Sequence, residues 1–237
     1  MTPNKAVHPP LREARVSLTN LRHNIAVLGA DHILLDISSN AYGHGASQIA
    51  RAAESAGVTK FRVHTHDEFS AARSLLTSSS TLEVGTFDES SVIHCYGLDP
   101  TSHRGTRPVM RLSARVMAVK SIRSGDGVSY GYTWRAPADG WLALVPLGYG
   151  DGFVRAWGNR ISGTWRGSTC LAAGRVAMDA HSLFTAERPA VVGDEVVYFG
   201  DSIQSAPTVG DVARLISSPL AAITACLGSR IQRTYVS

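Results

Sequence analysis

Lysine is nearly missing from this 237-residue chain: of its 23 lysines and arginines, only Lys5, Lys60 and Lys120 are lysine. Amine chemistry therefore has three places to start from. Cysteine is scarce as well. Cys95, Cys170 and Cys226 are odd in number and far apart, which suits reduced, buried thiols and excludes a disulfide framework. No run approaches the ~18 uninterrupted apolar residues of a membrane span, and the stretch Met1 to Arg12 has no apolar segment, so no membrane is expected and the expected location is the cytoplasm. A net charge of +4 is scattered along the chain without a basic block, which speaks against a nucleic-acid partner. Phosphate-binding glycine loops and a Gly-x-Ser-x-Gly nucleophile motif are absent too. His64, His66, His94 and Cys95 do not reach the three or four ligands at defined spacing that zinc requires, so no metal is expected.

What is present has two textures. With 44% hydrophobic residues the chain can bury a substantial core. Up to about residue 95 it alternates: Ala14 to Leu28 passes from strand-like into helical spacing with Thr19 as cap, Ile33 to Ile37 reads as a strand, Tyr42 to Gly45 as a loop, and Ser47 to Ala56 as a helix. A second unit follows, with Lys60 to Thr65 as strand, Asp67 to Leu76 as helix and Thr81 to Gly85 as the next strand. This is parallel α/β texture. Gly97 to Pro108 reads as a connection, and beyond it lie short β-rich runs at Val109 to Val119, Gly140 to Leu147, Ser168 to Met178 and Asp194 to Phe199, as in an antiparallel barrel or sandwich, then a helix at Val209 to Ile216. The expected units are 1–107 and 108–237.

The run Ile37-Ser38-Ser39-Asn40-Ala41-Tyr42-Gly43-His44-Gly45 resembles the Lys-Ala-Asn-Ala-Tyr-Gly-His-Gly motif of alanine racemases, with Ser38 where that family keeps its lysine. Five later patches resemble the family's C-terminal β-domain in the right order: Arg115 to Val119, Val128 to Gly131, Pro146 to Gly152, Gly174 to Asp179 and Val192 to Val197. The resemblance implies a βα barrel of the TIM type followed by an antiparallel β-domain. A complete barrel takes about 250 residues, so the α/β half is expected to be a truncated or rebuilt remnant, whose open sheet edges need a cover.

The resemblance also implies roles. The family binds pyridoxal phosphate as a Schiff base on the lysine, which a serine hydroxyl cannot form, so Ser38 and Tyr42 are expected to be vestiges of that motif and no cofactor is expected to be held covalently. Tyr130 would be the second catalytic base, serving a neighbouring subunit in a head-to-tail homodimer, with Tyr149, Met178 and Asp179 lining the substrate side. A phenol is a poor base at neutral pH unless its phenolate is stabilised, so Tyr130 is better suited to proton or hydrogen-bond donation. His44 is the other titratable candidate. The leading expectation is a repurposed family member working as a cofactor-independent acid/base isomerase or cyclase on a small organic substrate, through Tyr130 with Asp179 or His44. The alternative is a non-catalytic dimeric binding protein; ordinary racemase activity conflicts with Ser38.

Overall fold

The structure is a computed structural model and describes residues 9–99, 101, 105–200 and 206–237. β1 (Arg12–Ser17) runs straight into the helix Leu18–Leu28, whose cap is Ser17, two residues earlier than Thr19: the Ser17 hydroxyl accepts from the Asn20 amide at 3.1 Å. Extended backbone at Ser17 ends the strand and leaves that oxygen over the open helix terminus. The helix buries Leu21, Asn24 and Ile25, one face at helical spacing.

β2 (Leu35–Asp36), β3 (Lys60–Val63) and β4 (Thr81–Val84) form a parallel three-stranded sheet in the order β2-β3-β4. The helices Ala46–Ser55 and His66–Arg73 are the crossovers. The alternation leads one to expect this parallel α/β unit, and it is the truncated barrel that the resemblance implies, with three strands in place of eight. An open edge at β2 would leave buried carbonyls without donors. A helix at Glu89–Cys95, which the sequence reading passed over, returns beside β2 and supplies them: the Ser91 hydroxyl donates to the Leu34 carbonyl at 2.8 Å, and the Tyr96 hydroxyl to the Asp36 carbonyl at 2.7 Å. The opposite edge, β4, is short and largely exposed.

The connection to the second half is pinned by Asn24, wholly buried on the first helix. Its amide nitrogen donates to the carbonyls of Cys95 (3.1 Å) and Arg107 (2.8 Å), and its oxygen accepts from the Arg107 amide (2.7 Å).

The β-rich half contributes β5 (Met110–Arg115), β6 (Ala118–Ile122), β7 (Gly127–Val128), β8 (Trp134–Arg135), β9 (Gly140–Val145), β10 (Ser162–Trp165), β11 (Ser168–Leu171), β12 (His181–Thr185), β13 (Glu195–Phe199) and β14 (Gln232–Val236). Six strands form one sheet in the order β11-β10-β13-β5-β1-β14, and β6, β9 and β12 form an antiparallel three-stranded sheet. β1 lies antiparallel to β5 and parallel to β14, so this sheet takes a strand from the chain's start. One apolar cluster accordingly runs through both halves, from Leu35, Ile49 and Phe61 to Leu112, Phe153 and Tyr198. The helices Val209–Ile216 and Leu220–Ala225 precede β14. Among the described residues no helix is long and apolar enough to cross a membrane.

Candidate functional site

Parallel strands deliver their side chains to a common C-terminal edge, where loops and ligand sites gather in βα folds. Here β2 ends at Asp36 and β3 at Val63, so Asp36, Ser38 and His64 come to the same edge. Beyond Ile37, four consecutive residues, Ser39, Asn40, Ala41 and Tyr42, have φ of 50°, 58°, 53° and 50°. The segment is a left-handed turn, costing roughly 1–2 kcal/mol per residue. Short polar bonds hold it. The Ser39 amide donates to Glu68 Oε1 at 2.7 Å, the Ala46 amide to Asn40 Oδ1 at 2.8 Å, and the Gly45 amide to the Asn40 carbonyl at 2.9 Å. Gly43 follows at φ +81°, and a Cβ there would lie 2.1 Å from the Thr224 carbonyl oxygen, so the helix Leu220–Ala225 packs directly on the turn.

The turn closes over Asp36, which is 1% exposed. Its carboxylate accepts three bonds, from the Ser38 amide (2.9 Å), the Tyr42 hydroxyl (3.0 Å) and His64 Nε2 (2.7 Å). A carboxylate facing a phenol and an imidazole fixes both as donors. Burial, followed by the charge of Asp36, pushes the Tyr42 phenol far above its usual range. Ser38 is equally buried, yet its hydroxyl has no partner among the described residues. Phe87, just past β4, sets its ring 6.0 Å from Tyr42 and 6.2 Å from His64. His64 drew notice in the sequence only as an insufficient metal ligand, and the one signal for Asp36 was an acidic residue inside an apolar strand.

His44 is placed apart from solvent. It is wholly buried, stacked on Tyr96 at 4.6 Å, with Nδ1 bonded to the carbonyls of Ala41 and Tyr42 and Nε2 unpartnered. Burial lowers its pKa to about 4, so it is neutral at physiological pH and shut away from any substrate.

The β-half candidates form a second group. Tyr149, Met178 and Asp179 come together: the Tyr149 amide donates to the Ala177 carbonyl (3.0 Å) and the Gly150 amide to the Met178 carbonyl (2.9 Å). Asp179 is paired with Arg230 at 2.5 Å, and Arg230 also holds the buried Asp151 at 2.9 Å. Tyr130 sits on a turn strained by Ser129 at φ 61°, beside Arg155, whose guanidinium lies 5.6 Å above its ring. Tyr130, Tyr149 and Met178 are 62%, 45% and 53% exposed. No hydrogen bond joins Tyr130 to Asp179, and His44 joins neither.

Both groups lie within recognised domains. Residues 16–105 match the family domain described as "Alanine racemase, N-terminal domain", and residues 109–235 match "Alanine racemase, C-terminal domain". The alanine racemase of Mycobacterium tuberculosis (strain ATCC 25618 / H37Rv) is 40% identical over 148 residues, covering 60% of this chain and 38% of that protein. That of Corynebacterium efficiens is 40% identical over 126 residues, 52% of this chain and 34% of that one. The chain therefore spans well under half the length of these relatives. Among solved structures, the alanine racemase from D-cycloserine producing Streptomyces lavendulae superposes with a TM-score of 0.82 at 22% identity, covering 97% of this chain and 98% of that one. The biosynthetic enzyme of Pseudomonas aeruginosa gives 0.84 at 18% identity, with 97% and 100% covered. At these identities the likeness concerns the fold.

Proposed function

The chain belongs to the alanine racemase family, and from that premise we propose that it no longer forms a Schiff base with pyridoxal phosphate and instead acts on a small organic substrate by acid/base chemistry, as an isomerase or cyclase. Ser38 carries this reading. It stands at the lysine position of the motif, buried, with a hydroxyl that reaches no partner. Neither described lysine is at hand to replace the amine: Lys60 opens β3, at the end of the parallel sheet opposite Ser38, and Lys120 lies on β6. The residues present do not fit the family cofactor. Tyr42, the tyrosine of the motif, gives its hydroxyl to Asp36, and a buried carboxylate at this place is a poor neighbour for the cofactor's phosphate.

On this reading residues 1–107 are a barrel-derived unit and 108–237 a β-domain whose rim completes the site of a second copy in a head-to-tail homodimer. The exposure of Tyr130, Tyr149 and Met178 supports a covering partner, since large side chains rimmed by charge suit an interface. Tyr130 is then the proton donor, and Asp179, fixed by Arg230, accepts a hydrogen bond from the substrate. The same exposure favours a second reading, a non-catalytic homodimer.

Two measurements test the proposal. Titration with pyridoxal phosphate should raise no imine absorption, and light scattering should give the mass of a dimer. An imine band would overturn the loss of Schiff-base chemistry; a strict monomer would overturn the completed site.

A further inference from the structure

We infer that His64, oriented by Asp36, is the proton-transferring base of this protein, and that its substrate is a small carbonyl compound with a C–H bond next to the carbonyl. The inference rests on the reading above and names the group that reading lacks, since Ser38 is no base, His44 is sealed in the core and Asp179 is committed to Arg230.

Four observations meet at His64. It lies at the C-terminal edge of the parallel sheet, one strand over from Ser38. Its Nε2 donates to Asp36 Oδ2 at 2.7 Å, which fixes the tautomer of the neutral ring with the lone pair on Nδ1. Nδ1 makes no hydrogen bond among the described residues, and the side chain is 29% exposed beneath the edge of Phe87, so the lone pair is not sealed in the core. The acceptor behind it is rigid, because Asp36 is held by Ser38 and Tyr42 and its carbonyl by Tyr96. A buried carboxylate that orients an imidazole and leaves its other nitrogen facing outward is the arrangement that makes histidine an effective general base.

The substrate class follows from what acid and base can do alone. With no electron sink supplied through an amine, the substrate must bring its own, and a neighbouring carbonyl is the simplest. His64 Nδ1 takes the proton, the C–H electron pair becomes a carbon–carbon double bond as the carbonyl π pair moves onto oxygen, and that oxygen takes a proton from Tyr130 of the second copy. Returning a proton to another face or carbon, and the phenol proton to Tyr130, gives an isomer with no change of oxidation state.

Pyruvate in D2O is the probe, with methyl deuteration followed by proton NMR. The wild-type protein should accelerate exchange over buffer, and His64→Gln, checked for native circular dichroism, should lose it about 100-fold. In His64→Ala, free imidazole should restore exchange above the rate of imidazole alone, a rescue that a structural role would not show. Asp36→Asn should slow exchange while leaving His64 reachable by diethyl pyrocarbonate. No acceleration by the wild type, or acceleration that survives His64→Gln, overturns the inference. A monomer that still exchanges through His64 would overturn the homodimer reading and with it the Tyr130 step, and would sustain His64 as the base.

Discussion

His64 Nε2 and Asp36 Oδ2 lie 2.7 Å apart across two parallel strands, a donor and an acceptor 28 residues apart in sequence. The register that pairs Asp36 with Arg62 puts both at the same edge, and the left-handed turn then seals the carboxylate from water. A buried carboxylate with three donors is costly to disturb. Asp36→Asn replaces an acceptor by an amide that must turn one N–H toward a donor, so urea unfolding should show a loss of about 2–3 kcal/mol.

Ser38→Ala should behave in the opposite way. The Ser38 hydroxyl is buried without a partner, so removing it relieves desolvation and breaks no bond. Stability should stay level or rise by up to about 1 kcal/mol in the same experiment. A clear loss would mean that the hydroxyl has a partner in solution.

Asn24→Ala removes three hydrogen bonds and strands the Cys95 and Arg107 backbone groups at the junction of the two halves. The expected cost is about 3 kcal/mol. Circular dichroism should show a lower melting temperature with the native spectrum retained at low temperature.

Acid should destabilise the protein before its carboxylates titrate. Burial lowers both His44 and His181 to about 4, and His181 is locked neutral by donating Nδ1 to the Leu147 carbonyl (2.7 Å) and accepting from the Tyr198 hydroxyl at Nε2 (2.8 Å). Since the unfolded histidines bind protons from pH ~6.5 downward and the folded ones only near 4, their contribution is complete above ~6.5 and lost as pH falls to 4. Each accounts for up to about 3 kcal/mol. Urea midpoints from pH 7 to 4 should fall accordingly, and more gently in His181→Gln.

The strand and helix alternation was legible because each element repeats its period, and Val209–Ile216 falls where its spacing places it. The helix Glu89–Cys95 was not, since its seven residues carry too few apolar positions to set a period, yet it covers the edge left by a three-stranded sheet. Thr19 yields to Ser17 as cap because the cap is set by where extended backbone ends, which spacing alone does not fix. Tyr149, Met178 and Asp179 were readable as a group from adjacent motifs, whereas the Asp36 and His64 pair exists only through strand register. The burial of His44 was hidden for the same reason: its cover is Tyr96, more than fifty positions away.

Tyr130→Phe separates chemistry from folding. Tyr130 is exposed and its hydroxyl supports no packing, so melting should be unchanged while pyruvate deuteration falls at least tenfold. Unchanged deuteration would remove Tyr130 from the reaction.

On the proposed reading the lysine chemistry of the family has left this chain. Incubation with pyridoxal phosphate, borohydride reduction and intact-mass analysis reads it directly. The unmodified mass is expected; a stoichiometric cofactor adduct that peptide mapping places on Lys5, Lys60 or Lys120 would contradict the loss of Schiff-base chemistry.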